Sequence, residues 1–149
     1  MIAVGEKAPD FALRNQDGEK VSLADFSGRK VMLVFYPGDF SPVCGDQLSI
    51  YQEVKPEIAE KGVELVGISV DSFFAHKAFQ EKLGIDTTLL SDFEPKGEVA
   101  RAYGSYVEGM GFANRTLVLL DEEGTVAWTY ESPTPGEFPG ANVIFDALS

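Results

Sequence analysis

The chain contains a single cysteine, Cys44, at a position where a cysteine can be reactive. It follows the stretch Tyr36-Pro37-Gly38-Asp39-Phe40-Ser41-Pro42-Val43, which separates an apolar run from a helical pattern. Pro37 and Gly38 end the apolar run, while Ser41 and Pro42 are typical of a helix N-cap and a first helical position. Cys44 is therefore predicted in the first helical turn, where free backbone N–H groups and the helix dipole favour a thiolate.

The alternative interpretation of Cys44 is an inert core residue. A lone free cysteine usually behaves as a small buried hydrophobic side chain. Against this, a cysteine at the start of a helix that follows a buried strand lies at the edge of the sheet where α/β proteins bind ligands. The flanking residues favour the reactive cysteine.

The charge of the chain is strongly negative. It carries 24 acidic and 12 basic residues, for a net charge of −12. This charge disfavours binding to nucleic acid and to anionic membranes. It also opposes a further negative charge on Cys44, so a reactive thiolate here would require a cation nearby.

Length and composition predict one domain over residues 1–149 that buries a substantial core. We expect no membrane span and no signal peptide, because the chain lacks a long apolar run and a basic start followed by an apolar stretch. One cysteine cannot close an intramolecular disulfide, and the sequence offers no metal-binding cluster. We therefore expect a cytoplasmic protein that uses no cofactor and no metal.

Strand and helix patterns alternate through the middle of the chain. A hairpin is expected over 8–28. A first helix is expected from about Pro42, and Pro56 should kink or break it. Further helices are expected from Asp71-Ser72 to Leu83, near Gly97–Tyr103 and over Asn142–Leu148. Strands are expected at 31–36, 63–70, 88–90, 115–120 and 126–130, and loops at 104–113 and 132–140. This order predicts an α/β protein of thioredoxin-like fold, with a central mixed β-sheet flanked by helices and an N-terminal β-hairpin extension.

With these residues in place, the chain resembles the peroxiredoxins. The family's signature, Pro-x-x-x-(Thr or Ser)-x-x-Cys, is matched by Pro37, Ser41 and Cys44. The family's arginine at the start of a later strand is matched by Arg115. The segments Gly5–Phe11 and Leu90–Phe93 are similar to the family as well, so the resemblance covers nearly the whole chain.

Within the family, the chain is most similar to one-cysteine bacterial enzymes of the alkyl hydroperoxide reductase E and bacterioferritin-comigratory types. The position where many relatives carry a second cysteine is Ser49. One residue departs from the pattern, because many members have glutamate where this chain has Gln47. An amide keeps the hydrogen-bonding capacity but loses the charge.

The resemblance implies a thiol peroxidase in which the Cys44 thiolate attacks a hydroperoxide and becomes a sulfenic acid. Arg115 would stabilise the thiolate and polarise the O–O bond, unless it forms only a surface ion pair. Ser41 would hydrogen-bond the thiolate or the peroxide, and Pro37 would shield the thiolate from water. The backbone N–H groups of Val43 and Cys44 would complete the anion cradle.

Three further residues have plainer interpretations. Phe40 could line the substrate pocket, although an aromatic residue at a strand end is more often simply packed. His76 is interpreted as a partly exposed helix residue rather than a general base. Trp128 is expected in the core or at an interface.

The implied partners are a hydroperoxide substrate and an external thiol reductant, either a low-molecular-weight thiol or a thioredoxin- or glutaredoxin-like protein. A homodimer or a larger homo-oligomer is also implied. Two other functions stay open on the sequence, namely a peroxide-sensing relay that passes oxidation to a partner protein and a binding protein with an inert thiol. A dithiol oxidoreductase is disfavoured because the chain has no Cys-x-x-Cys motif.

Overall fold

A computed structural model describes residues 1–41 and 43–148 of the chain. The strands in these ranges are β1 Ala12–Arg14, β2 Lys20–Ser22, β3 Lys30–Phe35, β4 Val63–Ser69, β5 Thr88–Ser91, β6 Tyr106–Val107, β7 Phe112–Ala113, β8 Thr116–Leu120 and β9 Val126–Glu131. The α-helices are α1 Cys44–Glu60, α2 Phe73–Leu83, α3 Glu98–Ala102 and α4 Ala141–Ala147.

A seven-stranded sheet forms the centre of the fold, in the order β2-β1-β5-β4-β3-β8-β9. β3, β4 and β5 are parallel, and the outer pairs are antiparallel. The predicted mixed sheet with flanking helices is thereby confirmed. The N-terminal hairpin is confirmed too, and it joins the central sheet because Arg14 of β1 pairs with Ser91 of β5.

β3 is buried on both faces, as its unbroken apolar run predicts. Its side chains alternate between two core clusters. Leu33 and Phe35 pack into one, whereas Met32 and Val34 pack into the other with Tyr51 and Ile58 of α1. This alternation places α1 directly against the strand whose end leads to Cys44.

Three expectations on local structure need correction. Pro56 does not break α1, which runs from Cys44 to Glu60 around it, because Tyr51 and Ile58 on either side of Pro56 are fully buried. The stretch 104–113 is not all loop, since β6 and β7 pair within it. The helix predicted from about Pro42 begins at Cys44 in the described residues, and Pro42 itself lies outside them.

The other predicted elements agree with the structure to within a residue or two. Ser72 caps α2 by accepting the N–H of Ala75, and Gly84 ends that helix in the left-handed conformation. No helix in the described part of the chain has the length and hydrophobicity needed to span a bilayer.

Asp92 allows a test of how α3 is held after β5. Its carboxylate accepts the N–H groups of Val99 and Ala100, at 3.0 and 2.9 Å. Burial raises the pKa of the Asp92 carboxyl to about 6 from 3.8. Because the folded state then binds this proton more tightly than the unfolded state does, the proton's contribution to stability is present below about pH 4 and is lost as the pH rises through about 6.

We therefore expect the unfolding free energy of the wild type, minus that of Asp92→Asn, to fall as the pH rises from about 4 to about 6. Chemical denaturation of both proteins across this range measures the difference. A difference that is constant, or that rises with pH, would contradict the prediction.

Candidate active site

The junction between β3 and α1 positions Cys44. Its side chain is fully buried among Tyr36, Leu48, Phe79 and other apolar residues, and it is the first residue of α1. The prediction of Cys44 in the first helical turn is therefore confirmed.

The helix start differs in detail from the predicted cap. Val43 occupies the cap position, yet the Ser41 hydroxyl oxygen still accepts the Cys44 N–H at 3.3 Å. The Cys44 N–H, which was expected to form part of the anion cradle, is thus directed at Ser41. Ser41 still satisfies one N–H of the first turn, as a cap would.

Arg115 lies just before β8, and its position follows from strand pairing. Thr116 pairs with Phe35 of β3, so Arg115 lies beside the end of the strand that leads to Cys44. The Arg115 side chain is only 2% exposed. Its Nη1 donates to Oε1 of Gln47 at 2.7 Å, and its Nε donates to the carbonyl oxygen of Pro135 at 2.6 Å. The interpretation of Arg115 as a surface ion pair is wrong.

The acceptors of Arg115 are neutral, which matters for the charge at the site. Both are amide oxygens, and no ion pair to Arg115 is formed within the described residues. Guanidinium is charged at any physiological pH. Arg115 therefore brings an uncompensated positive charge to the first turns of α1.

Gln47 connects Arg115 to a buried hydrogen-bond chain. It lies one turn after Cys44 on α1, so the two side chains share a helix face. Its Nε2 donates to the Tyr51 hydroxyl at 3.2 Å, and that hydroxyl donates to the Pro139 carbonyl oxygen at 2.5 Å. Burial raises the pKa of Tyr51 above its ordinary value, which keeps the donating proton in place.

The remaining predicted site residues lie around the cysteine loop. Pro37 is buried, Val43 is half-buried and Phe40 is 52% exposed. The Phe40 ring packs edge-on against Phe79, with ring centroids 5.0 Å apart. Its φ of 65° is in the left-handed region, which a bulky residue rarely adopts.

Sequence reasoning missed two parts of this site. The proline-rich stretch at 133–139, predicted only as part of a loop, supplies the carbonyl oxygens that hold Arg115 and Tyr51. His76 is wrongly predicted as partly exposed; it is fully buried, and its Nδ1 lies 2.7 Å from Asp39 Oδ2. The one available signal was Asp39 itself, because an acidic residue beside a buried strand end requires a partner.

Comparisons with known proteins agree with this geometry. Residues 4–129 match the AhpC/TSA family. Alkyl hydroperoxide reductase E of Mycobacterium bovis is 37% identical over 150 residues, which cover 100% of this chain and 97% of that protein. Two crystal structures superpose closely. AhpC of Enterococcus faecalis has a TM-score of 0.91 at 30% sequence identity, and the match covers 99% of this chain and 91% of that chain. Peroxidoxin BcpB of Mycobacterium tuberculosis has a TM-score of 0.87 at 28% sequence identity, and the match covers 99% of this chain and 95% of that chain.

The chain therefore belongs to the AhpC/TSA family. Its thioredoxin-like fold and its relatives make it a peroxiredoxin, and as such it is a thiol peroxidase. The inferred resemblance is confirmed.

Gln47→Leu tests whether the amide is needed to hold Arg115. The substitution leaves a buried Arg115 N–H without an acceptor, so we expect a loss of about 1–3 kcal/mol in the unfolding free energy. Gln47→Glu is the matched control, because it keeps an acceptor at the same position and should avoid this loss. Chemical denaturation measures both variants, and equal stability of the wild type and Gln47→Leu would contradict the assignment.

Proposed function

We propose that this protein reduces hydrogen peroxide and organic hydroperoxides by a one-cysteine mechanism, with Cys44 as the peroxidatic residue. The observation that carries the proposal is the buried Cys44 at the start of α1, with the uncompensated charge of Arg115 held against the same helix through Gln47. The family and its relatives favour this function over the peroxide-sensing relay that the sequence left open.

In the first step, the Cys44 thiolate attacks the distal oxygen of the hydroperoxide. A sulfur–oxygen bond forms as the O–O bond breaks, so the sulfur is oxidised to a sulfenic acid and the peroxide is reduced to an alkoxide or hydroxide. This leaving group takes up a proton and departs as an alcohol or as water. Negative charge moves from sulfur to oxygen during the step, and a fixed cation nearby stabilises both charge distributions.

Arg115 suits this task because part of its guanidinium is unused. Nε and Nη1 are engaged, whereas Nη2 has no hydrogen-bond partner among residues 1–41 and 43–148. We assign the Nη2 donors to the reacting oxygens. The Ser41 hydroxyl accepts from Cys44, which leaves its own proton for the thiolate or the peroxide.

Pro37, Val43 and Phe40 complete the proposed site. Pro37 is buried next to the strand end and would limit water around the sulfur. Val43 and Phe40 would line the path of the substrate, with Phe40 on the solvent side. Exclusion of water strengthens the electrostatic interaction between Arg115 and the sulfur.

Recycling requires a reductant from outside the chain, because no second cysteine exists to resolve the sulfenic acid. An external thiol would attack the Cys44 sulfur, release water and form a mixed disulfide, and a second thiol would then restore Cys44. We propose a low-molecular-weight thiol or a thioredoxin- or glutaredoxin-like protein in this role. The single thiol also supports a cytoplasmic location, where thiols are kept reduced.

We further propose that the chain forms a homodimer or a larger homo-oligomer. Several large apolar side chains are exposed, as is common on surfaces that oligomers bury. They include Phe40, Phe74, Phe93 and Met110.

Stopped-flow kinetics with hydrogen peroxide and an organic hydroperoxide test the peroxidatic step. The wild type should react far faster than free cysteine, and Arg115→Ala should lower the second-order rate constant by about 10²–10³-fold, as expected when a donor to the transition state is removed. Arg101→Ala is a matched control. Arg101 forms an exposed ion pair with Glu108 and stacks on the Tyr106 ring, and neither partner belongs to the proposed site, so its loss should leave the rate unchanged. A wild-type rate equal to that of free cysteine would rule out the proposed function.

Turnover with a small thiol in excess distinguishes the peroxidase from the relay. We expect many equivalents of hydroperoxide to be consumed per chain, and none by Cys44→Ser. Consumption that stops after one equivalent per chain, despite the thiol, would favour the relay instead.

A further inference from the structure

The cysteine loop, defined here as residues 37–41, is attached to the body of the protein by a second buried polar cluster. Asp39 of this loop contacts His76 of α2, with 2.7 Å between Oδ2 and Nδ1. The other ring nitrogen of His76, Nε2, lies 3.0 Å from the carbonyl oxygen of Leu90 in β5. His76 thereby joins the loop to both a helix and the central sheet.

The hydrogen-bond roles in this cluster follow from the chemistry of the partners. A backbone carbonyl only accepts, so Nε2 must carry a proton and donate to Leu90. A second proton lies between His76 Nδ1 and Asp39 Oδ2, since two lone pairs at 2.7 Å would repel each other. The contact is therefore a charge-assisted hydrogen bond or a hydrogen bond from a protonated carboxyl, and either one attracts the loop to α2.

Asp39 is held from two further directions. The Tyr36 hydroxyl donates to Asp39 Oδ1 at 2.7 Å, and the Asp39 backbone N–H donates to Asp71 Oδ2 at 2.8 Å. Burial, with the nearby Asp39, raises the pKa of Tyr36 well above its ordinary value, so this hydroxyl keeps its proton. Direct hydrogen bonds therefore connect Asp39 with Tyr36, Asp71 and His76.

The attachment matters for Cys44 because the loop contacts its surroundings. The Ser41 hydroxyl accepts the Cys44 N–H at 3.3 Å, and the Phe40 ring packs on Phe79, which lies in the same core cluster as Cys44. The Cys44 thiol is fully buried, so a reagent reaches the sulfur only when the surrounding residues move, and a bulky reagent requires the larger opening. Phe40 follows Asp39 directly, with strained left-handed backbone at φ 65° and its ring on Phe79. Such a conformation persists only where neighbouring contacts hold it, and Asp39 supplies those contacts on one side.

We propose that the Asp39–His76–Leu90 link is a latch that positions the cysteine loop for reaction with hydroperoxide and closes it against larger thiols and thiol reagents. His76 and Asp39 are positioning residues in this proposal, and neither touches the substrate. The part of the proposal that concerns reaction with hydroperoxide rests on the function proposed above. The part that concerns access of larger reagents to Cys44 does not.

The latch makes a prediction that a general loss of stability would not. Releasing it should slow the reaction of Cys44 with hydrogen peroxide and speed its alkylation by a bulky maleimide. In Asp39→Ala and His76→Leu, we expect each rate to change by about tenfold, in opposite directions. Backbone amides 38–41 should also exchange hydrogen faster in both variants.

Two further variants separate positioning from folding. In Asp39→Asn, the amide can donate to Nδ1 of a neutral imidazole and accept from Tyr36, so both rates should stay within about threefold of the wild type. Tyr103→Phe removes a buried hydrogen bond to Pro9, 2.8 Å long, in a core cluster that does not contain Cys44. It should lower the melting temperature and leave both rates unchanged.

Asp39→Ala lies in the loop and tests the latch even where His76→Leu fails to fold. The proposal is overturned if the folded latch variants change neither rate, change both in one direction, or match Tyr103→Phe. A wild type that reacts slowly with peroxide would refute the proposed function. The rates of Cys44 alkylation and of amide hydrogen exchange would still show whether the latch closes the cysteine loop.

Discussion

A buried arginine whose side chain donates to neutral oxygens within the described part of the chain is the constraint around which this structure is arranged. Removing a guanidinium from water is costly unless its donors are satisfied, and Arg115 is 2% exposed. Its two hydrogen bonds come from α1, through Gln47, and from the loop after β9, through Pro135. Pairing of β8 with β3 then aligns Arg115 with the strand end before Cys44. Because neither acceptor carries charge, these partners leave the positive charge of Arg115 uncompensated, as its proposed role toward the sulfur requires. This interpretation gives a physical role to Gln47, the residue that departs from the family's pattern.

The second polar cluster joins the cysteine loop to α2 and β5. Arg115 would stabilise charge on the reacting atoms, while Asp39 and His76 would hold the loop in place. The two tasks require different surroundings, since the first benefits from an unpaired charge and the second from complete pairing. A one-cysteine peroxidase must also admit two kinds of reagent, a small hydroperoxide and then a larger thiol. The proposed latch, a closed loop with a polar attachment that can break, would meet both demands.

Much of the fold could be predicted because the decisive patterns are local. The apolar run in β3, the Ser72 cap of α2 and the Gly84 that ends it each depend on a few adjacent residues. Pro56 shows where local reasoning fails: burial of Tyr51 and Ile58 keeps α1 continuous, and that burial is set by β3, β8 and α4 rather than by the helix sequence. The pairing of β6 with β7, inside a stretch with three glycines, is too short to leave a pattern.

The sequence by itself identified the family's motif residues and the place of Cys44 in a first helical turn, and it predicted a reactive thiol, a nearby cation and an external reductant. These follow from residue types and spacing along one strand–loop–helix segment and from the count of cysteines. Only the tertiary structure decided what surrounds Cys44. Arg115 contacts Gln47 and Pro135, which lie far from it in the chain. Tyr51 likewise contacts Pro139, and His76 of α2 contacts Asp39 in the turn after β3. Hydrogen bonds between segments far apart in the chain depend on how strands pair and helices pack, and no local pattern of residues encodes them.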